Sequence, residues 1–501
     1  MMLHINKKIL LIATSFISCV SLTACAVSLT DKKYEDNAWW ASGKKTLEQR
    51  LNIIQRNNPA KNVILFIGDG MGISTITAAR IFDGQSRGGT GEENVLSFER
   101  FPHVALIKTY SVDAQVADSA STASAMNTGV KTKFMAVSTW GDQPTADCFG
   151  PEKNFPKTIA ETAESLGLST GIVTTDKVTY ATPAAVYAHS PSRSWESDAD
   201  IPLELREKGC QDIAQQLIEF PYGNGLDVIM GGGLEALLPK SQGGKRLDNK
   251  NLVNIWKDNN PNGKFISSAS ELRDKNNMNT DKLFGVFASH HMSYAVDKNE
   301  DEEPTLAEMT SSAIDVLSKN PKGYFLMVEN GHIDHAHHKN NAYRALSDTQ
   351  AFAQAIETAL SKVDLDNTLV LVTADHSHPL TMVGYPIRGN PILGNVIPVS
   401  SQKGGYKVID GYAVDNNKET YTTLGYRVGP QEKQPIKTDV IEEVANKNYH
   451  QKTAIPMRGG FHGGEDVALF ATGPQSHLVG GVLEQNVIFH IITQALGWND
   501  Q

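Results

Sequence analysis

The sequence predicts an α/β fold, a three-layer sandwich in which a large, mostly parallel central sheet lies between helices, with a small β-rich insertion added. Three observations predict it. Apolar runs of strand length recur at 63–67, 169–174, 227–230, 323–328 and 368–373. The last four each follow a stretch of helical character, at 156–166, 211–219, 306–317 and 342–360. Strands alternating with helices favour a parallel sheet covered on both faces, and continuous apolar runs fit strands buried from both sides. Between 379 and 458, Gly, Pro, Val and Tyr with short alternating runs mark the β-rich insertion. With 501 residues, 40 % of them apolar, the chain is long enough for a large core.

The first 25 residues differ in kind from the rest. Lys7 and Lys8 precede an apolar stretch at 9–20, too short to span a bilayer comfortably, and Leu22-Thr23-Ala24-Cys25 follows. This pattern reads as an export signal, and its last four residues resemble a bacterial lipobox whose Cys25 is lipidated after cleavage. An ordinary cleaved signal or an uncleaved anchor fits the same residues. Exported, the chain belongs in the periplasm or on the outer membrane. Residues 26–60 read as a linker with a first helix at 46–56, ending before Pro59. The folded body runs from 61 to 501, and 241–279, rich in Asn, Lys and Gly, reads as a surface insertion. Once the leader is set aside, Cys148 and Cys210 are the remaining cysteines, and export suggests one disulfide, with a stabilisation of about 4 kcal/mol. A net charge of −10 without any run of five basic residues argues against a nucleic-acid partner. An anionic substrate would need a local positive charge, which bound divalent metals supply.

Ligands of parallel α/β sheets gather beyond the carboxyl ends of the strands. Asp69, Glu329, Asp375 and His376 all stand there. Gly68-Asp69-Gly70-Met71-Gly72 lacks the GxGxxG spacing, and a carboxylate in the turn would repel a pyrophosphate; Asp69 fits a metal ligand or a helix cap. Asp118-Ser119-Ala120-Ser121 opens a helix that stops at Gly129. Asp118 or Ser119 can simply cap it. In the functional reading the Ser119 hydroxyl sits at the positive helix end, where an alkoxide and a phosphate are both stabilised, with a metal as activator because no histidine neighbours it in sequence. The segment 329–338 holds Glu329, Asp334 and four histidines; a helix starting near His332 would put Asp334 and His338 on one face, able to reach one metal. Thr373-Ala374-Asp375-His376-Ser377-His378 adds a carboxylate–imidazole pair, and His462 lies in a glycine-rich turn. Carboxylate with imidazole favours zinc, and a mostly oxygen set favours magnesium.

On these residues the sequence resembles the alkaline phosphatase family. The segments FIGDGMGISTITAARI, VADSASTASAMNTGVKT, TPAAVYAHSPSRSWESDADIP, GCQDIAQQLI, IDHAHHKNNAYRAL, TADHSH and HGGEDVALFATGP are similar to family motifs in the same order, the last several closest to the animal-like branch. The resemblance implies a crown-like role for the β-rich insertion and hydrolysis of small phosphate monoesters at alkaline pH through a phosphoserine on Ser119. It implies two Zn2+ and one Mg2+: one zinc on Asp334, His338 and His462, the second on Asp69, Asp375 and His376, and magnesium on Asp69, Thr182 and Glu329. Arg193 would clamp two phosphate oxygens. Cys148 and Cys210 match a family disulfide, and a homodimer is implied. The chain departs from the pattern at Tyr180, where many relatives carry Asp or His, and at His335, where some bacterial members carry Lys. Both touch the metal preference of the magnesium site. Ala288 stands where animal relatives would offer a calcium-binding carboxylate, and no lipid-anchor signal follows Trp498. Two other readings stay open: a phosphodiesterase of the same superfamily, and a catalytically silent metal-binding surface lipoprotein. A sulfatase would need a CxPxR or SxPxR context, which Ser119 lacks.

Overall fold

The computed structural model describes residues 36–143, 148, 155–277, 279–399, 407–430 and 441–498. The leader and Cys25 lie outside the described residues. The chain divides between Ile54 and Gln55 into a short N-terminal unit and one body. The first unit holds a helix, Ala38–Leu51, whose start is fixed by Asn37: its side chain accepts from the backbone N–H of Trp39 and Trp40. That cap places the helix earlier than the 46–56 expected from apolar spacing.

In the body, the strands in chain order are β1 (Asn62–Gly68), β2 (His103–Lys108), β3 (Ser169–Lys177), β4 (Val228–Gly232), β5 (Lys264–Ile266), β6 (Leu283–Val286), β7 (Tyr324–Asn330) and β8 (Thr368–Ala374). After them come β9 (Leu380–Met382), β10 (Lys407–Ile409), β11 (Tyr412–Val414), β12 (Leu424–Pro430), β13 (Thr453–Met457), β14 (Val467–Thr472) and β15 (Gly481–Glu484). Ten of them form one sheet in the order β15-β2-β14-β8-β1-β7-β3-β4-β6-β5. Its central pairs are parallel, and β14 alone runs antiparallel to both neighbours. Helices flank this sheet, giving the predicted α/β sandwich. Two small sheets, β13-β12-β9 and β10-β11, occupy the β-rich region.

The central strands are buried along their whole length, as their unbroken apolar runs require. Phe352, from the helix Ala342–Lys362, meets Phe66 of β1 edge-on at 5.9 Å and Phe98 at 6.4 Å, tying helix to sheet. Helix starts follow local capping. Thr158 and Glu161 form a reciprocal capping box, so that helix begins at Ile159 rather than at Pro156. The stretch 241–279 does more than cover the surface. It carries β5 to the sheet edge and a helix, Leu252–Asn259, that buries Leu252, Val253 and Trp256, an apolar spacing hidden among Asn and Lys. Cys148 and Cys210 are joined by a disulfide with Cα atoms 5.7 Å apart.

Register decides where the chemistry lies. Ile67 pairs with Glu329 on one side and with Thr373 on the other, so β1, β7 and β8 end level. Asp69, Glu329 and Asp375 therefore emerge side by side at one edge of the sheet.

Candidate active site

At that edge the chain turns sharply. Gly70 has φ +69°, and its backbone N–H donates to Asp375 Oδ1 at 3.0 Å; a Cβ there would lie 2.6 Å from the His378 ring. The following helix, Ile73–Ser86, has Gly72 as its N-cap, so Asp69 is not a cap. Both Asp69 carboxylate oxygens are buried without a hydrogen-bond partner. Asp69, Asp375 and His376 bring ligand atoms within 4.8 Å of one another, with His376 Nε2 3.4 Å from Asp69 Oδ1 and 3.2 Å from Asp375 Oδ2.

The helix Ser119–Thr128 is entirely buried and ends at Gly129 in the left-handed region. Asp118 is its N-cap and accepts from the backbone N–H of Ala120 and Ser121, which leaves Ser119 as the first helical residue. The Ser119 hydroxyl is free of capping and lies 3.2 Å from His376 Nε2. It opens on a cavity of about 310 Å³ lined also by Tyr180, Arg193, Asp334, His338 and His462. Arg193 is anchored by Asp118 Oδ2 at 3.1 Å, and its guanidinium lies over the Tyr180 ring, 4.7 Å from the centroid.

The helix His332–His338 places Asp334 and His338 on one face, with Oδ2 and Nε2 3.2 Å apart. His338 Nδ1 faces the Gly460 carbonyl at 2.7 Å, and His462 Nδ1 faces the Ala117 carbonyl at 2.8 Å. Carbonyls only accept, so both protons sit on Nδ1 in the neutral rings. The two Nε2 lone pairs then face each other across 3.3 Å. With both rings neutral this is repulsive, whereas a shared metal ion, or a proton on His338, whose pKa burial lowers but Asp334 raises to about 8, relieves it. Two nitrogens on a tetrahedral zinc at roughly 2.05 Å would stand about 3.3 Å apart, so the pair fits a shared ion.

The third set is Asp69, Glu329 and Asp176, again within 4.8 Å, and beside Glu329 the buried Thr182 hydroxyl has no hydrogen-bond partner, nor has Glu329 Oε1. Burial, reinforced by neighbouring carboxylates, holds Asp69 and Glu329 well above the usual carboxylate range, and burial first of all pushes Asp375 up to about 6. Burial likewise draws His376 and His462 each down to about 4. So many carboxylates in one dry site, several with unpaired oxygens, need counter-charge.

The chain as a whole is similar to proteins of known kind. A family model described as alkaline phosphatase covers residues 60–498. The chain belongs to the alkaline phosphatase family. It is 40 % identical over 495 residues to the tissue-nonspecific alkaline phosphatase of Felis catus, covering 94 % of this chain and 91 % of the relative. The Gallus gallus isozyme is 39 % identical over 504 residues, covering 96 % and 93 %. The structure of alkaline phosphatase from the Antarctic bacterium TAB5 aligns with TM-score 0.60 at 27 % identity, covering 89 % of this chain and all of that one. The protein is accordingly a metal-dependent phosphoric monoester hydrolase, and the silent-lipoprotein and diesterase readings give way to that.

The structure brings every residue singled out for the site to this one edge. It also adds three. His378 hydrogen-bonds through Nε2 to Asp334 Oδ1, and its position in TADHSH, two residues past His376, was the available signal. Asp176 sits at the end of β3, next to Glu329 through the Thr174–Glu329 register, and His332 faces it from the neighbouring helix. Among the described residues no helix is long and apolar enough to cross a membrane.

Proposed function

We propose that this phosphatase works through a phosphoserine on Ser119 in a site holding two zinc ions and one magnesium ion. Asp334, His338 and His462 would hold one zinc, Asp69, Asp375 and His376 the other, and Asp69, Thr182 and Glu329 the magnesium. The observation that carries this reading is the uncapped, buried Ser119 hydroxyl at a helix start, flanked by two imidazole–carboxylate sets with unshared lone pairs. When bound, these cations lower the pKa of an attacking hydroxyl and offset charge on the phosphate and leaving oxygens.

The protein's own residues do the rest. Ser119 Oγ gives its proton to solvent and attacks phosphorus, the Oγ–P bond forms, and the ester P–O bond breaks. The alcohol leaves after taking a proton from solvent. Water then attacks phosphorus, the Oγ–P bond breaks, inorganic phosphate departs, and a proton returns to Ser119. The positive end of the helix that starts at Ser119 favours the anion in both steps. Arg193 presents the donors not engaged by Asp118 toward the cavity, in a fork suited to two phosphate oxygens. The Asp118 carboxylate is itself satisfied by Arg193, Ser121 and the Met135 N–H, so it stays ionised and rigid. Burial opposes that ionisation, but these partners outweigh it and lower the pKa.

On the leader pattern and the family resemblance, the enzyme is exported, held at the membrane through a lipidated Cys25 and paired as a homodimer, with small phosphate monoesters as substrates. The test is chemical. Acid quenching during turnover of a monoester labelled in its phosphate should leave label on Ser119, found by peptide mapping. Full activity with label absent from Ser119 would remove the phosphoserine.

A further inference from the structure

Beside the site just described, a second histidine cluster is left unexplained by phosphoryl transfer. Asp176, His332 and His335 bring one ligand atom each within 4.8 Å of one another. Three atoms of these side chains stand out, Asp176 Oδ2, His332 Nδ1 and His335 Nε2, with His332 Nδ1 3.9 Å from the other Asp176 oxygen, Oδ1. All three are buried without a hydrogen-bond partner. Asp176 is fully buried and His332 is 3 % exposed. Leaving one such atom unpaired is costly, and leaving three converging ones is more so.

The outer contacts of these groups point their lone pairs the same way. His332 Nε2 meets the Met292 carbonyl, so it carries the proton and Nδ1 is a free donor to a cation. Asp176 Oδ1 accepts from His291 Nδ1 at 3.0 Å, which leaves Oδ2 for the cluster, 3.4 Å from His335 Nε2. A carboxylate braced by an imidazole, and an imidazole braced by a carbonyl, are the outer contacts that orient metal ligands. The backbone is shaped to allow it: a Cβ on Gly331 would lie 2.3 Å from Asp176 Oδ2. Tyr180 packs edge-on against both His291 and His335, separating the cluster from Arg193.

We propose that Asp176, His332 and His335 form an additional divalent-cation site. Two imidazoles and one carboxylate suit zinc, and three protein ligands leave a position for water on the side where His335 and His291 are partly exposed. Asp176 also belongs to the set with Asp69 and Glu329, so its carboxylate adjoins the proposed magnesium position and couples the two. The competing arrangement puts protons in place of the ion, as imidazolium paired with carboxylate.

The experiment counts ions and does not depend on how the other ions are assigned. The full-length protein, His332→Gln and His335→Gln are equilibrated with zinc and magnesium, freed of unbound metal and analysed by native mass spectrometry. Each variant should carry one zinc ion fewer than the wild type, and His332→Cys, which restores a zinc ligand, should regain it. Should the glutamine variants fail to fold, zinc-edge anomalous diffraction from wild-type crystals decides, with a peak expected among Asp176 Oδ2, His332 Nδ1 and His335 Nε2. Equal zinc content across the foldable variants, or no peak at that position, would overturn the site. Neither result bears on label recovery at Ser119, so the two readings fail separately.

Discussion

Ser119→Ala is expected to lower turnover of p-nitrophenyl phosphate by about a thousandfold or more while zinc and magnesium content stays at the wild-type level. The separation of the two readouts follows from the geometry. Ser119 contributes one hydroxyl whose hydrogen-bond contact is His376, and Asp118 rather than Ser119 caps the helix. Alanine is a good helix former at a first helical position, so the fold should lose no more than about 1 kcal/mol. Both imidazole–carboxylate sets remain whole without the hydroxyl. Steady-state kinetics together with metal analysis check this. Unchanged turnover would take Ser119 out of the reaction, and lost metal would make it a structural ligand instead.

Chelation is expected to abolish activity and to lower the melting temperature together. Asp69, Glu329, Asp334 and Asp375 are all fully buried or nearly so, and several of their oxygens have no protein partner. Withdrawing the cations leaves like charges facing one another in a dry site, and the folded state must protonate or open to relieve them. Each ion present at a thousand times its dissociation constant contributes about 4 kcal/mol through linkage, so losing several should lower the transition by roughly 5 °C or more. Returning zinc and magnesium should restore both quantities. Full activity and an unshifted transition in protein shown to be metal-free would contradict the account.

Much of this was legible in the sequence because the decisive signals are local. Unbroken apolar runs mark the central strands, and they place β1, β7 and β8 within two residues of their ends. Asp and Glu placed just beyond those runs had to surface at the sheet edge, and the level register of the three strands brings them together. Asp334 and His338 were readable as one helical face because four residues make about one turn. What escaped is long-range. Asp176 lies two residues past the apolar run at 169–174, on a strand whose neighbour could not be known before the strand order was, and His332 and His291 meet it from separate segments. The helix Ala38–Leu51 begins where Asn37 caps it, a side-chain bond that outweighed the apolar spacing. Strand β5 was masked because only Phe265 and Ile266 stand out in a polar stretch.

The central claim is that divalent cations are caged on both sides of the Ser119 hydroxyl. Crystals grown with zinc, measured on either side of the zinc absorption edge, address it most directly. The account predicts one anomalous peak among Asp334, His338 and His462 and another among Asp69, Asp375 and His376, with Ser119 Oγ within reach of the second. Fully active crystals with no anomalous density at either position would contradict it.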